Sequence, residues 1–246
     1  MTRDYAYVWL LWSSAFLVPW FALYVAARGF RRQMLGVSFA TSLLGLSEPI
    51  FVPQYWNPPS LFDLAQRTGF DIESLIFCFA IGGIGAFGYS ALARRELRPM
   101  PEADRHRSRH RFHRLLLAAP FLVFPPLYLL PWNPIYPGIV ALMVGGAANV
   151  WCRPDLARNT LLGGVLFGGL YTVFMTVLIV WAPGYVEKVW NLAALSGIRL
   201  GRIPLEELAF GAAFGMYWAG IYEHFTWTRG AFSGVRGRAP LESQHG

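Results

Sequence analysis

The chain has 246 residues, 55% of them hydrophobic and 14% charged, with a mean hydropathy of +0.38. Soluble domains carry about 25% charge, so this composition excludes a water-exposed globule and indicates an integral membrane protein. The net charge of +7 rests on arginine, Lys188 being the sole lysine, and cationic loops on one side of a bilayer account for it without nucleic acid.

A transmembrane helix needs about 20 mostly apolar residues, and seven stretches qualify. In chain order they are Tyr7–Ala26, Leu35–Val52 with Glu48 near its end, and Ile72–Ala93 with Glu73 just inside its start. Leu115–Trp132 and Ile135–Cys152 follow, two shorter Pro-flanked runs that read either as two spans or as one hairpin dipping into the bilayer. Leu161–Val186 is uncharged, and Ile203–Tyr222 opens on Glu206 and Glu207. The first run is too long and too rich in tryptophan for a signal-peptide core.

With the N-terminus outside, sixteen of the 21 cations fall on inner segments and five on outer ones. That asymmetry follows the positive-inside rule. It places the chain in the cell (inner) membrane as a multi-pass protein with a cytoplasmic C-terminus.

An internal similarity organises the spans. Asp71-Ile72-Glu73-Ser74-Leu75-Ile76-Phe77 pairs with Pro204-Leu205-Glu206-Glu207-Leu208-Ala209-Phe210 at an offset of 133, and Pro53-Gln54-Tyr55 pairs with Pro183-Gly184-Tyr185 at 130. Between these anchors, Ser60–Gly69 and Val186–Gly197 read as amphipathic helices lying on the outer surface. The expected fold is all-α, about seven transmembrane helices built from two parallel three-helix repeats plus a connecting helix. Residues 1–246 form one membrane domain: repeat one over 5–95, connector over 96–132, repeat two over 133–228, and a polar disordered tail over 229–246.

Carboxylates within spans are costly and read as functional by default. A cluster of Glu73, Glu206 and Glu207, with Glu48 nearby, suits an acid that holds a proton in an apolar cavity and protonates an alkene while an ionised partner stabilises the cation. First-turn capping by these glutamates is the structural alternative. Aromatic faces stabilise cations. Tyr55, Trp56, Trp181, Tyr185 and Trp190 cluster near the glutamates, most of them reading as an interfacial belt, with Tyr55 and Trp56 the best cavity candidates.

Other patterns fail their context. Gly83–Gly88 spells GxGxxG without a preceding strand and reads as helix packing, as do Gly164–Gly168 and Gly211–Gly215. His106, His110 and His113 have helical spacing but sit in an arginine-rich inner loop, so a solvated loop and no metal centre are expected. The two cysteines, Cys78 and Cys152, make neither a disulfide framework nor a CxxC site. Paired Asp-rich diphosphate motifs and a mid-helix Schiff-base lysine are absent from the sequence, which argues against a prenyltransferase and a retinal protein.

The stretch Ile203-Pro204-Leu205-Glu206-Glu207-Leu208-Ala209-Phe210, with Trp190-Asn191 and Ser196-Gly197-Ile198 before it, resembles the signature of the membrane-embedded lycopene cyclase family. In the first half, Asp71-Ile72-Glu73-Ser74-Leu75-Ile76-Phe77 keeps the first Glu and the Phe but has Ser74 in place of the second acid. The resemblance implies a carotenoid (lycopene-type) end-group cyclase, an intramolecular lyase or isomerase working by acid–base catalysis without net redox change and without a cofactor. It implies Glu206, Glu207 and Glu73 as catalytic acids, and an apolar isoprenoid substrate entering from the bilayer and lined by Tyr55, Trp56, Phe77, Phe210, Trp190 and Glu48. The chain would act alone or in a homo- or hetero-oligomer. The alternative class is a non-catalytic membrane protein, a partner subunit of a carotenoid-modifying enzyme or a small transporter.

Overall fold

A computed structural model describes residues 5–232, nearly all of them in helices or short connections. Five helices are long and apolar enough to cross a membrane, within a set of seven taken here in chain order. These are α1 (Val8–Ala26), α2 (Arg28–Phe51), α3 (Ile72–Leu92), a ten-residue α4 (Ala119–Tyr128), α5 (Ile135–Cys152), α6 (Pro154–Trp181) and α7 (Leu205–Thr226). Helix α7 has the length to span at 22 residues, but Glu206, Glu207, Glu223 and His224 lower its hydropathy. Large apolar side chains such as Val18, Leu43 and Val180 are exposed on the outer helix faces, as lipid contact requires.

Helix α3 packs against α1 and α2, α7 packs against α5 and α6, and α3 and α7 meet each other. Small residues allow the close approaches. A Cβ on Gly163 would lie 2.7 Å from the Gly215 carbonyl oxygen, and one on Gly85 would lie 2.8 Å from the Phe214 ring. The glycines read from the sequence as packing positions thus serve that purpose, except Gly88, where the space is open. Gly215→Ala should cost about 1–3 kcal/mol through overpacking against Phe167 and Gly163. Thermal unfolding in detergent checks this, with Gly88→Ala expected to be near neutral.

The bundle has two distinct ends. At one, the Tyr5 hydroxyl donates to the Pro183 carbonyl (2.7 Å), Asn57 N–H to Val189 (2.8 Å) and Asn191 N–H to Tyr55 (2.9 Å). At the other, β1 (Arg95–Pro99) pairs antiparallel with β4 (Thr228–Phe232). Arg95, buried at this end, donates to Glu223 (3.2 Å), Asn159 (2.6 Å) and the Gly230 carbonyl (3.0 Å). Arg153, fully buried, grips Asp155 through two bonds of 2.8 and 2.7 Å. The second small ladder, β2 (Arg199–Leu200) with β3 (Ile203–Pro204), leads into α7.

The structure corrects several sequence expectations. Leu115–Trp132 is not one continuous helix: it breaks at Ala118 into His113–Leu117 and α4, where Pro120 withdraws a backbone donor, while Pro125 and Pro126 lie within α4. Helix α4 alone is about 15 Å long, but the segment as a whole runs from His113, beside Trp227 at the β1/β4 end, to Asn133, whose side chain donates to the Gln54 carbonyl at the capped end at 2.9 Å. The last span starts at Leu205 rather than Ile203, since Ile203 and Pro204 are held in the β ladder. The long sixth run stops at Trp181, and Val186 belongs to a separate short helix, Tyr185–Val189. That helix buries Tyr185, Val186 and Val189 and exposes Glu187 and Lys188, so it covers the bundle end with its apolar face inward. Its first-half equivalent contracts to Leu64–Thr68.

The tail does not begin at residue 229. Arg229–Phe232 form strand with the connector, and Gly230 N–H donates to Glu223 at 2.7 Å; the remainder of the predicted tail lies outside the described residues. Nor is the arginine-rich connector wholly solvated, because His110 and His113 are buried.

Candidate active site

The capped end of the bundle holds the carboxylates. Glu207, in the first turn of α7 and 2% exposed, is held by donors from three directions. Its Oε1 accepts from the Tyr55 hydroxyl and from Trp190 Nε1, the latter at 2.7 Å. Its Oε2 accepts from the Tyr171 hydroxyl at 2.6 Å. Tyr55 and Trp190 come from the two outer connections, whose strands of chain meet through the Trp56–Trp190 bridge. Tyr171 comes from the middle of α6. One carboxylate therefore gathers three separate parts of the chain.

At the position matching Glu207 in the first half stands Ser74, and its hydroxyl donates to Glu48 Oε2 at 3.0 Å. Glu48 is buried at the end of α2, and its Oε1 has no hydrogen-bond partner among the described residues. Close approach makes this contact: a Cβ on Gly45, one turn earlier, would lie 2.8 Å from the Leu75 backbone nitrogen. The acid missing from the first-half motif is thus supplied in space by a neighbouring helix.

Glu73 and Glu206 share a different arrangement. Glu73, fully buried, accepts from Leu61 N–H at 2.7 Å. Glu206 accepts from Ser196 N–H at 2.8 Å and from the Tyr136 hydroxyl at 2.8 Å. Each ties down the connection that precedes its own helix, and neither lines the cavity described next. Neither is the helix cap, which in α3 is Asp71, accepting from Ser74 N–H at 2.5 Å. Burial pushes the Asp71 carboxyl up, while hydrogen bonds from Ser74 pull it back. Burial first, then the Glu73 and Asp71 carboxyls, push the Tyr185 hydroxyl up.

A cavity of about 440 Å³ opens between the two halves, walled almost entirely by apolar and aromatic groups. Glu207 and Glu48 are the two carboxylates on its wall, with Tyr55, Trp56, Phe77, Trp190 and Phe210 beside them. Six of the nine sequence-selected cavity and catalytic residues therefore share this wall with Glu207, the other two being Glu73 and Glu206. Trp190 and Tyr185 do not form an interfacial belt, since both are buried; Trp181 stays half-exposed. Sequence reasoning missed Trp9, Trp12, Tyr171 and Trp218, which also line the cavity. The available signal was spacing: Phe167, Tyr171 and Met175 mark one buried face of α6, and Trp9, Trp12 and Phe16 one face of α1.

Such a wall presents two carboxyl groups and many ring faces in otherwise apolar surroundings. Residues 133–225, which contribute Glu207, Tyr171, Trp190 and Phe210, match the family model described as lycopene cyclase. That match supports assignment to the lycopene cyclase family. No curated protein and no solved structure matches the chain. The lycopene cyclase match supports a carotenoid cyclase-type function, and it ends within α7, beyond both acids of the Pro-x-Glu-Glu stretch. The first-half acid Glu48 and the ring faces of α1 lie outside the matched residues, yet they complete the same cavity.

Proposed function

We propose that the protein closes the acyclic end groups of a lycopene-type carotenoid into rings, by proton gain and proton loss with no net redox change. The observation that carries this is Glu207, a buried carboxyl held by two tyrosines and a tryptophan on the wall of an apolar, aromatic cavity. Trp190 Nε1 is a donor only, so Oε1 must accept; Oε2 can carry the proton and share it with the Tyr171 oxygen. In this reading Glu207 protonates the terminal double bond of the substrate. The next double bond attacks the resulting cation, which forms the ring and moves the charge onto it. Glu48, through its unpartnered Oε1, stabilises that charge and removes a ring proton. One proton enters and one leaves, so product and substrate are isomers.

The rings of Trp9, Trp12, Phe77 and Phe210 favour a cation by their negative faces and exclude water that would trap it. The cavity is sized for one end of a long polyene, the remainder lying towards the lipid. The bundle is read as seven helices in two related halves, α3 and α7 at its centre. The cavity end faces outward and the arginine-rich β1/β4 end faces the cytoplasm. Support comes from the separation of the cations between the two ends and from the matched roles of Glu73 and Glu206 in holding their connections.

Expression of the unaltered chain in lycopene-accumulating cells tests the activity. Ring-bearing products of unchanged mass are expected on pigment analysis, and lycopene left unconverted would overturn the reading.

A further inference from the structure

The end of the bundle opposite the cavity carries a second cluster that the proposed chemistry does not use. His110 and His113 come from the arginine-rich connector, and Cys152 closes α5; all three are buried. Cys152 Sγ lies 3.4 Å from His110 Nδ1 and 3.5 Å from His113 Nδ1, and the three ligand atoms all fall within 4.8 Å of one another. A tetrahedral ion with metal–sulfur bonds of about 2.3 Å and metal–nitrogen bonds of about 2.1 Å separates sulfur and nitrogen ligands by about 3.6 Å. The observed spacings are close to that.

A thiol has one proton to donate, so at most one of the two Nδ1 atoms can accept from it, and the other imidazole would have to donate to sulfur, a weak acceptor. A cation on the common side of Sγ and both Nδ1 atoms would engage all three lone pairs. We propose that His110, His113 and Cys152 form a binding site for a zinc-class divalent ion, with the Cys152 thiol proton released to solvent on binding. The ligand set is the borderline-soft nitrogen and sulfur chemistry that Zn²⁺ prefers over Mg²⁺ or Ca²⁺.

The surroundings fit such a site. The His113 ring stacks on Trp227 at 3.9 Å, which fixes its plane, and His110 meets the same ring edge-on at 5.1 Å. A third imidazole, His224, crosses His113 at 4.5 Å and is fully buried. Its Nδ1 pairs with Asn149 Oδ1 at 2.7 Å, an acceptor, while Asn149 Nδ2 donates to the Tyr217 carbonyl. That pairing puts the His224 proton on Nδ1 and leaves Nε2 a lone pair, and this buried atom has no partner among the described residues. Among the neighbouring cations, Arg153 is paired through two bonds to Asp155, while Arg109 and Arg114 flank the histidines in the chain. Glu207 and His224 are 17 residues apart on one helix, about 25 Å at 1.5 Å per residue, so the site is structural. It fastens the connector to α5 and the end of α7.

Cobalt titration of the full chain in detergent, after chelator treatment, tests this. The expected result is one equivalent of Co²⁺ giving a thiolate-to-metal charge-transfer band and tetrahedral d–d bands, both displaced by Zn²⁺. Cys152→Ser should lose the charge-transfer band and Cys78→Ser should keep it, while His113→Asn should weaken binding by at least about tenfold. His106→Asn, at an exposed position, should change nothing. If Cys152→Ser does not fold, alkylation of the Cys78→Ser protein gives the same answer, because Zn²⁺ should slow modification of Cys152 by the reagent. Absence of the charge-transfer band in the unaltered chain, or no protection of Cys152 by Zn²⁺, would overturn the site. Loss of cyclase activity has no bearing on either readout.

Discussion

Glu207→Gln should reduce ring formation by about 10²–10⁴-fold, the range for removal of a positioned general acid. Glutamine keeps the size of the side chain and an acceptor for Trp190 and Tyr55, so the three contacts that gather the outer connections and α6 survive largely intact. What disappears is the transferable proton. The variant should therefore accumulate to normal levels and unfold at nearly the normal temperature while leaving lycopene unconverted in producing cells. Full retention of ring formation by a folded Glu207→Gln protein would sink Glu207 as the acid.

Glu48→Gln should produce a loss of the same order, and here the contrast with Glu206 and Glu73 is decisive. Each of the three has one oxygen held by a donor and one buried oxygen with no hydrogen-bond partner among the described residues, so what sets Glu48 apart is its place on the cavity wall, which neither Glu206 nor Glu73 shares. Glutamine in place of Glu206 or Glu73 preserves an acceptor for those backbone N–H groups. Their activity should stay within about tenfold of the unaltered chain, a change of about 1.4 kcal/mol in the barrier. Pigment ratios from cells carrying each variant separate the two classes. A Glu206→Gln loss as large as that of Glu48→Gln would return the catalytic role to the pair of acids adjacent in sequence.

The carboxylate prediction shows where one-dimensional reasoning reaches its limit. Glu206 and Glu207 are neighbours in the chain, and both stand in the first turn of a helix. Successive helical residues point about 100° apart, so only one of them can face the cavity, and packing selects Glu207. Ser74 looked like a lost acid because the motif was read along the chain. Its hydroxyl in fact meets Glu48 from another helix, across a contact that Gly45 permits. The histidines were misread for the same reason. The arginines around His110 and His113 look like a solvated charge run in sequence, but the loop folds inward over Trp227.

Composition and hydropathy alone determined that the chain is built of apolar helices, because a helix that faces lipid must be apolar along its whole length. The Pro-x-Glu-Glu stretch and its approaches carried the family resemblance, since those residues are contiguous. The aromatic walls were visible only as helical spacing. Tertiary structure decided which carboxylates share a cavity, which aromatic rings turn inward, and that the connector closes into strand with the residues after α7. Those features depend on contacts between residues far apart in the chain, and hydropathy, which is a property of local sequence, holds no record of them.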